Sequence, residues 1–151
     1  ITGSARRLWA DMRAEDVCNL AWGAGRIEYR DEAVIRELVP RAGALMADAK
    51  AQDLCNLAWG LGKLDIQDHR SLAFKLGFRD DLHLVVKDLV AKSCVALDRT
   101  DSHLSHGMCD LAWGLAKLEF RDEDVLQRFV KLTPKLLSGM SVADVCNMVW
   151  A

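Results

Sequence analysis

Proline and tyrosine are nearly missing, at two and one in 151 residues. So few turn-forming prolines argue against an all-β domain of many short strands. No apolar run approaches the roughly 18 residues that a membrane-spanning helix requires, so no membrane span is expected. Neither sign of charge dominates: 20 Lys+Arg stand against 22 Asp+Glu, for a net charge of −2. A globally polybasic protein is thereby excluded, and any nucleic-acid role must come from a local patch. The five cysteines are odd in number and widely spread, unlike the framework of a small secreted domain. Reduced thiols are expected, in the cytosol or inside an organelle. What is present is a folding composition, 51% hydrophobic and 28% charged, which rules out disorder. The length allows one domain or a short repeat array. The chain opens on Ile1 and stops inside a recurring motif, so it is expected to be a piece of a longer protein.

Self-similarity decides the architecture. Cys18-Asn19-Leu20-Ala21-Trp22-Gly23 returns as Cys55-Asn56-Leu57-Ala58-Trp59-Gly60 and as Cys109-Asp110-Leu111-Ala112-Trp113-Gly114. A fourth copy reads Cys146-Asn147-Met148-Val149-Trp150. The cysteines are spaced by 37, 54 and 37 residues, so the middle interval is 37 plus an insertion of 17. The match continues through Gly25-Arg26-Ile27-Glu28-Tyr29-Arg30-Asp31, with counterparts from Gly62 to Asp68 and from Ala116 to Asp122. Units are placed at 14–50, 51–104 with the insertion, and 105–141. Residues 1–13 form the tail of a preceding unit and 142–151 the start of a further one.

Each unit reads as two helices. From Asp16 to Tyr29, the residues Val17, Leu20, Ala21, Ala24 and Ile27 follow the i, i+3, i+4, i+7 spacing of one helical face. Cys18, Trp22 and Gly25 widen that face to about 220°. A helix so widely apolar must be covered on more than one side, as stacked hairpins do. Ser141-Val142-Ala143-Asp144 has the form of an N-terminal cap. The second helix begins after Asp31 or Asp122, each placed to accept from an unpaired N–H. It carries Val34, Ile35, Leu38, Val39 and Leu45 in one unit, and Val125, Leu126, Phe129, Val130, Leu132 and Leu136 in another. Pro40 and Pro134 are expected to kink or divide it. An extra turn or loop is expected over His69 to Gly77. The fold class is all-α, an α-solenoid of stacked helical hairpins repeating about every 37 residues.

The pattern D-L-x-N-x-x-W-x-x-x-K-L, carried by Asp53 to Leu64, opens a two-helix unit that resembles the octotricopeptide-repeat (OPR) family. It is also similar to the helical repeats of RAP-domain and FAST-kinase-like proteins. The resemblance covers residues 14–151, with the motif in register four times. It implies an RNA-binding module of organellar gene expression, as a component of an organellar ribosome or of an RNA-processing factor. A mitochondrion is favoured over a chloroplast. The implied partners are single-stranded or ribosomal RNA and other protein subunits of a large complex. The alternative is a protein–protein scaffold of such an assembly without RNA contact.

On the first helix, Asn19, Gly23, Arg26 and Arg30 lie within about 60° on the wheel and form a polar stripe. Its counterparts are Asn56, Gly60, Lys63 and Gln67, then Asp110, Gly114, Lys117 and Arg121. Stacking would align Arg26, Lys63 and Lys117 into a basic ladder beside a row of amides, a means of reading single strands. A bland account also serves, since basic residues at helix C-termini complement the macrodipole. Gly23, Gly60 and Gly114 are read as sites of close helix packing. Trp22, Trp59, Trp113 and Trp150 sit beside Cys18, Ala21 and Gly25 on the wheel and are expected in the core. The repeated cysteines are expected there too, as small hydrophobes. His103, His106 and Cys109 lack a fourth ligand, so neither a metal nor any cofactor is expected. No nucleophile–base pair or phosphate loop stands out, and the segment is not expected to be an enzyme.

Overall fold

The computed structural model describes residues 3–64, 79–98 and 105–150. The region expected to form an extra loop, His69 to Gly77, lies outside them, as do Gln67, Asp68 and His103. The described residues form eight α-helices and no strand. In chain order these are α1 (Gly3–Asp11), α2 (Ala14–Arg26), α3 (Glu32–Leu45), α4 (Ala51–Lys63), α5 (Arg79–Asp98), α6 (Ser105–Lys117), α7 (Glu123–Leu136) and α8 (Val142–Trp150). The protein is all-helical over these residues, and none of its helices is long and apolar enough to cross a membrane.

In three of the four copies the first helix starts by local chemistry, the third having Gly107 where the others have aspartate. The carboxylate of Asp16 accepts from the N–H of Arg13 at 2.9 Å, and that of Asp53 accepts from Lys50 at 2.9 Å. Each satisfies a donor that the helix start leaves orphaned. Before α8 the exchange is reciprocal. Ser141 N–H donates to Asp144 at 2.8 Å, while Asp144 N–H donates to the Ser141 hydroxyl at 3.2 Å. The Asp31 side chain caps α3 by accepting from Val34 N–H at 3.0 Å. Asp122 holds the matching place before α7 and pairs with Lys87 of α5 at 3.9 Å.

Two of the first helices, α2 and α6, end by a shared device. Tyr29 N–H reaches back to the Ala24 carbonyl at 2.8 Å and Glu28 N–H to that of Gly25 at 3.2 Å. Phe120 and Glu119 repeat this with Leu115 and Ala116. The pattern is a Schellman motif, with Glu28 (φ 52°) and Glu119 (φ 48°) in the left-handed region usually held by glycine. The expected helix from Asp16 to Tyr29 therefore stops at Arg26. The expected division at proline does not occur: α3 runs through Pro40 and α7 through Pro134, each ending in a single 3-10 turn. Burial of Leu38, Val39 and Ala42 around Pro40 holds the helix together despite the lost hydrogen bond.

In one layer α2, α4, α6 and α8 pack side by side in chain order. In the other, α3 packs on α2 and α5, and α5 on α4 and α7. Between them runs one core cluster that includes Val17, Ala21, Ile35, Leu57, Leu89 and Leu111. Helix contact in the first layer is close enough to bring backbones together. A Cβ on Gly60 would fall 2.4 Å from the Ala21 carbonyl group, and one on Gly114 2.4 Å from that of Ala58. The expected close packing at these two glycines is thus present. Gly23, in contrast, has nothing within 4 Å. Ile27 shares that open flank of α2 and is 74% exposed, against the expectation that it is buried. Its counterparts Leu64 and Leu118, each with a neighbouring helix on that flank, are buried. Leu126 and Val130 of α7 are likewise exposed, against the same expectation.

Candidate nucleic-acid interface

Three of the first helices carry candidate side chains at i, i+3 and i+7, so that they share one edge of the helix. On α2 these are Asn19, Trp22 and Arg26; on α4, Asn56, Trp59 and Lys63; on α6, Asp110, Trp113 and Lys117. Because the helices lie side by side, the same residue types form three rows running across them.

The middle row is aromatic. The rings of Trp22 and Trp59 are 6.2 Å apart at an angle of 37°, and those of Trp59 and Trp113 are 6.0 Å apart at 33°. Trp22 is 37% exposed, while Trp59 and Trp113 are half-buried. This corrects the expectation that the tryptophans form the core. The apolar arc of a helix wheel does not say where the neighbouring helix stops, and here the rings stand at the margin of the packed surface. The sequence signal of this placement is the repeated basic residue at i+4 from each tryptophan, since a cation one turn on can cover an indole face. The side chain of Trp150 is outside the described set, and Trp9 packs partly buried against the core.

The cationic row lies against these rings. The Arg26 guanidinium is 5.4 Å from the Trp22 centroid, and Lys117 Nζ is 5.7 Å from Trp113. Lys63 Nζ is shared, 5.8 Å from Trp59 and 5.6 Å from Trp113. Each such contact contributes about 0.5–1 kcal/mol at an exposed site and fixes a charge beside a π-face. The stripe is shorter than the wheel implied. Arg30 and Arg121 are exposed but follow the left-handed residues that end α2 and α6, so they leave the helical edge.

The third row is polar. Asn56 donates through Nδ2 to Asn19 Oδ1 at 3.4 Å and accepts from Gln52 Nε2 at 3.1 Å. At the next place stands Asp110, its side chain 21% exposed, with His106 Nε2 at 3.8 Å. His106 Nδ1 in turn meets Asp144 Oδ1 of α8 at 2.8 Å. The hydrogen bond to Asp144 raises His106 above its ordinary value, and the bonds from His106 and Ser141 pull Asp144 down to about 2. Burial raises the Asp110 carboxyl.

Three of the repeated cysteines contribute nothing to this face, whereas Cys146 of α8 is exposed, against the expectation that it lies in the core. Cys18, Cys55 and Cys109 are buried and form no disulfide. Desolvation pushes Cys18 and Cys55 up to about 12 and Cys109 to about 11, so they pack as small hydrophobes with no thiolate to offer. No group of three or more His, Cys, Asp or Glu able to hold a metal ion exists among the described residues.

Indoles and cations thus alternate along one edge of the first layer. Comparison with protein-family models, with curated proteins and with solved structures finds no match to this chain.

Proposed function

We propose that the chain is an α-solenoid of helical hairpins, repeating about every 37 residues, that binds single-stranded RNA in organellar gene expression. The observation that supports RNA is the alternation of Trp22, Trp59 and Trp113 with Arg26, Lys63 and Lys117 on one edge. Aromatic platforms take bases of any kind, at about 1–3 kcal/mol each, while the cations meet phosphates. The organelle, in a ribosome or a processing factor, rests on the resemblance of the repeat to the octotricopeptide family. A second reading, a protein scaffold using the same face, is favoured by the net charge of −2.

Replacing Arg26, Lys63 and Lys117 together by Glu separates the two. Helicity should hold, because exposed charges contribute only about 0–1 kcal/mol each to folding. Affinity for single-stranded RNA should fall by orders of magnitude, and a triple Gln variant should show a salt slope lower by about two to three units. RNA binding that is undetectable in the unmodified chain even at low salt would favour the scaffold. Unchanged affinity in the Glu variant would move the interface off this edge.

A further inference from the structure

The polar row changes character at one place. Asn19 and Asn56 carry amides that donate and accept, and they bond to each other. Asn56 also takes a bond from the residue one turn before it, Gln52. In α6 the corresponding residues are Asp110 and His106. The carboxylate only accepts, and His106 Nε2 stands 3.8 Å from Oδ2, too far for a hydrogen bond. The ion pair with His106 thus brings Asp110 a nearby charge without a hydrogen bond from that ring. Its side chain is nevertheless only 21% exposed. A carboxylate partly stripped of water favours any ligand that supplies N–H groups.

It is also an odd residue to find on the same edge as the row of Lys63 and Lys117, since an anion there weakens indiscriminate binding to phosphates. That loss is recovered only by a ligand that donates to it. Among the bases, guanine presents two parallel donors, N1–H and the N2 amino group, on the edge that single strands leave open. Two donors side by side match the two oxygens of a carboxylate, as an arginine fork does. Cytosine offers its amino group alone, and adenine offers an amino group beside an acceptor nitrogen that repels the second oxygen.

We infer that Asp110 is a specificity-determining residue that selects guanine at the third place of the row, where the asparagine places tolerate any base. This rests on the RNA-binding reading above and adds a sequence preference to it.

The test uses oligouridine strands carrying a single central G, C, A or U, titrated at low salt against the 151-residue chain by tryptophan fluorescence. The G strand should bind about tenfold more tightly than the all-U strand, within the usual range for one bidentate base contact. Asp110→Asn installs the residue that the other rows' places already carry, so the fold should be kept. It should bind all four strands alike, with affinity for the all-U strand equal to or above that of the unmodified chain. The reciprocal Asn56→Asp variant should prefer strands with two guanines to strands with one. Binding without a guanine preference, or a preference that survives Asp110→Asn, would overturn this inference while leaving RNA binding intact. Binding of no strand at all would overturn both.

Discussion

His106 and Asp144 join two helices through one short hydrogen bond, and each group depends on a different charge state. The bond to Asp144 raises His106 above 6.5, so its contribution is complete below 6.5 and disappears as pH rises through the raised value. Asp144 is lowered from 3.8 to about 2, so its contribution is complete above 3.8 and disappears as pH falls toward 2. Asp110, on the other side of the imidazole, acts in the same direction as Asp144 on His106. The link between α6 and α8 is therefore strongest between 3.8 and 6.5. Amide exchange in α8, corrected for its intrinsic rate, should accelerate relative to α4 as pH rises from about 6 to 8. In His106→Gln that pH dependence should be absent. Equal behaviour of α8 in the two proteins would show that the bond does not hold the helix.

For the helices, the decisive feature is that one glycine contributes to packing and its counterpart does not. Gly60→Ala places a methyl 2.4 Å from the Ala21 backbone, where no side chain can rotate away. The helices must separate, at a cost of about 1–3 kcal/mol typical of overpacking. Gly23→Ala meets nothing within 4 Å and should raise stability by up to about 1 kcal/mol through helix propensity. Urea unfolding of both variants checks the contrast, and a similar destabilisation by the two would refute it. Much at this scale is legible in sequence. The cap sequence Ser141 to Asp144 and the N-cap Asp31 mark helix starts, and Gly60 and Gly114 announce close contact, although Gly23, of the same pattern, makes none. Helix ends are harder to read, because Glu28 and Glu119 occupy left-handed positions where the usual mark is glycine. Pro40 and Pro134 mislead in the opposite sense, since tertiary burial keeps intact a helix that local chemistry would break.

Across the whole molecule, the candidate site is harder to read than the fold because no single helix contains it. A wheel drawn for α2 places Trp22 beside Cys18 and Ala21. Yet Cys18 and Ala21 are buried, whereas Trp22 is 37% exposed. The difference arises between helices, where backbone contact at Gly60 and Gly114 sets how far each ring extends past its neighbour. Arg26, Lys63 and Lys117 were readable as an aligned series because their alignment needs only the repeat. Their seating on indole faces needed the spacing as well. That spacing has an optical consequence. Indoles 6.0 and 6.2 Å apart share their ultraviolet excitation, so light absorbed by one ring belongs to the row. The circular dichroism should therefore show an exciton couplet, and Trp59→Phe, which removes the middle ring, should abolish nearly all of it rather than a third. A signal that falls only in proportion to the rings lost would mean that they absorb independently. Where the couplet holds, the protein carries a strain gauge made of its own chromophores: any ligand that spreads or compresses the helices alters its colour in the ultraviolet, with no label attached.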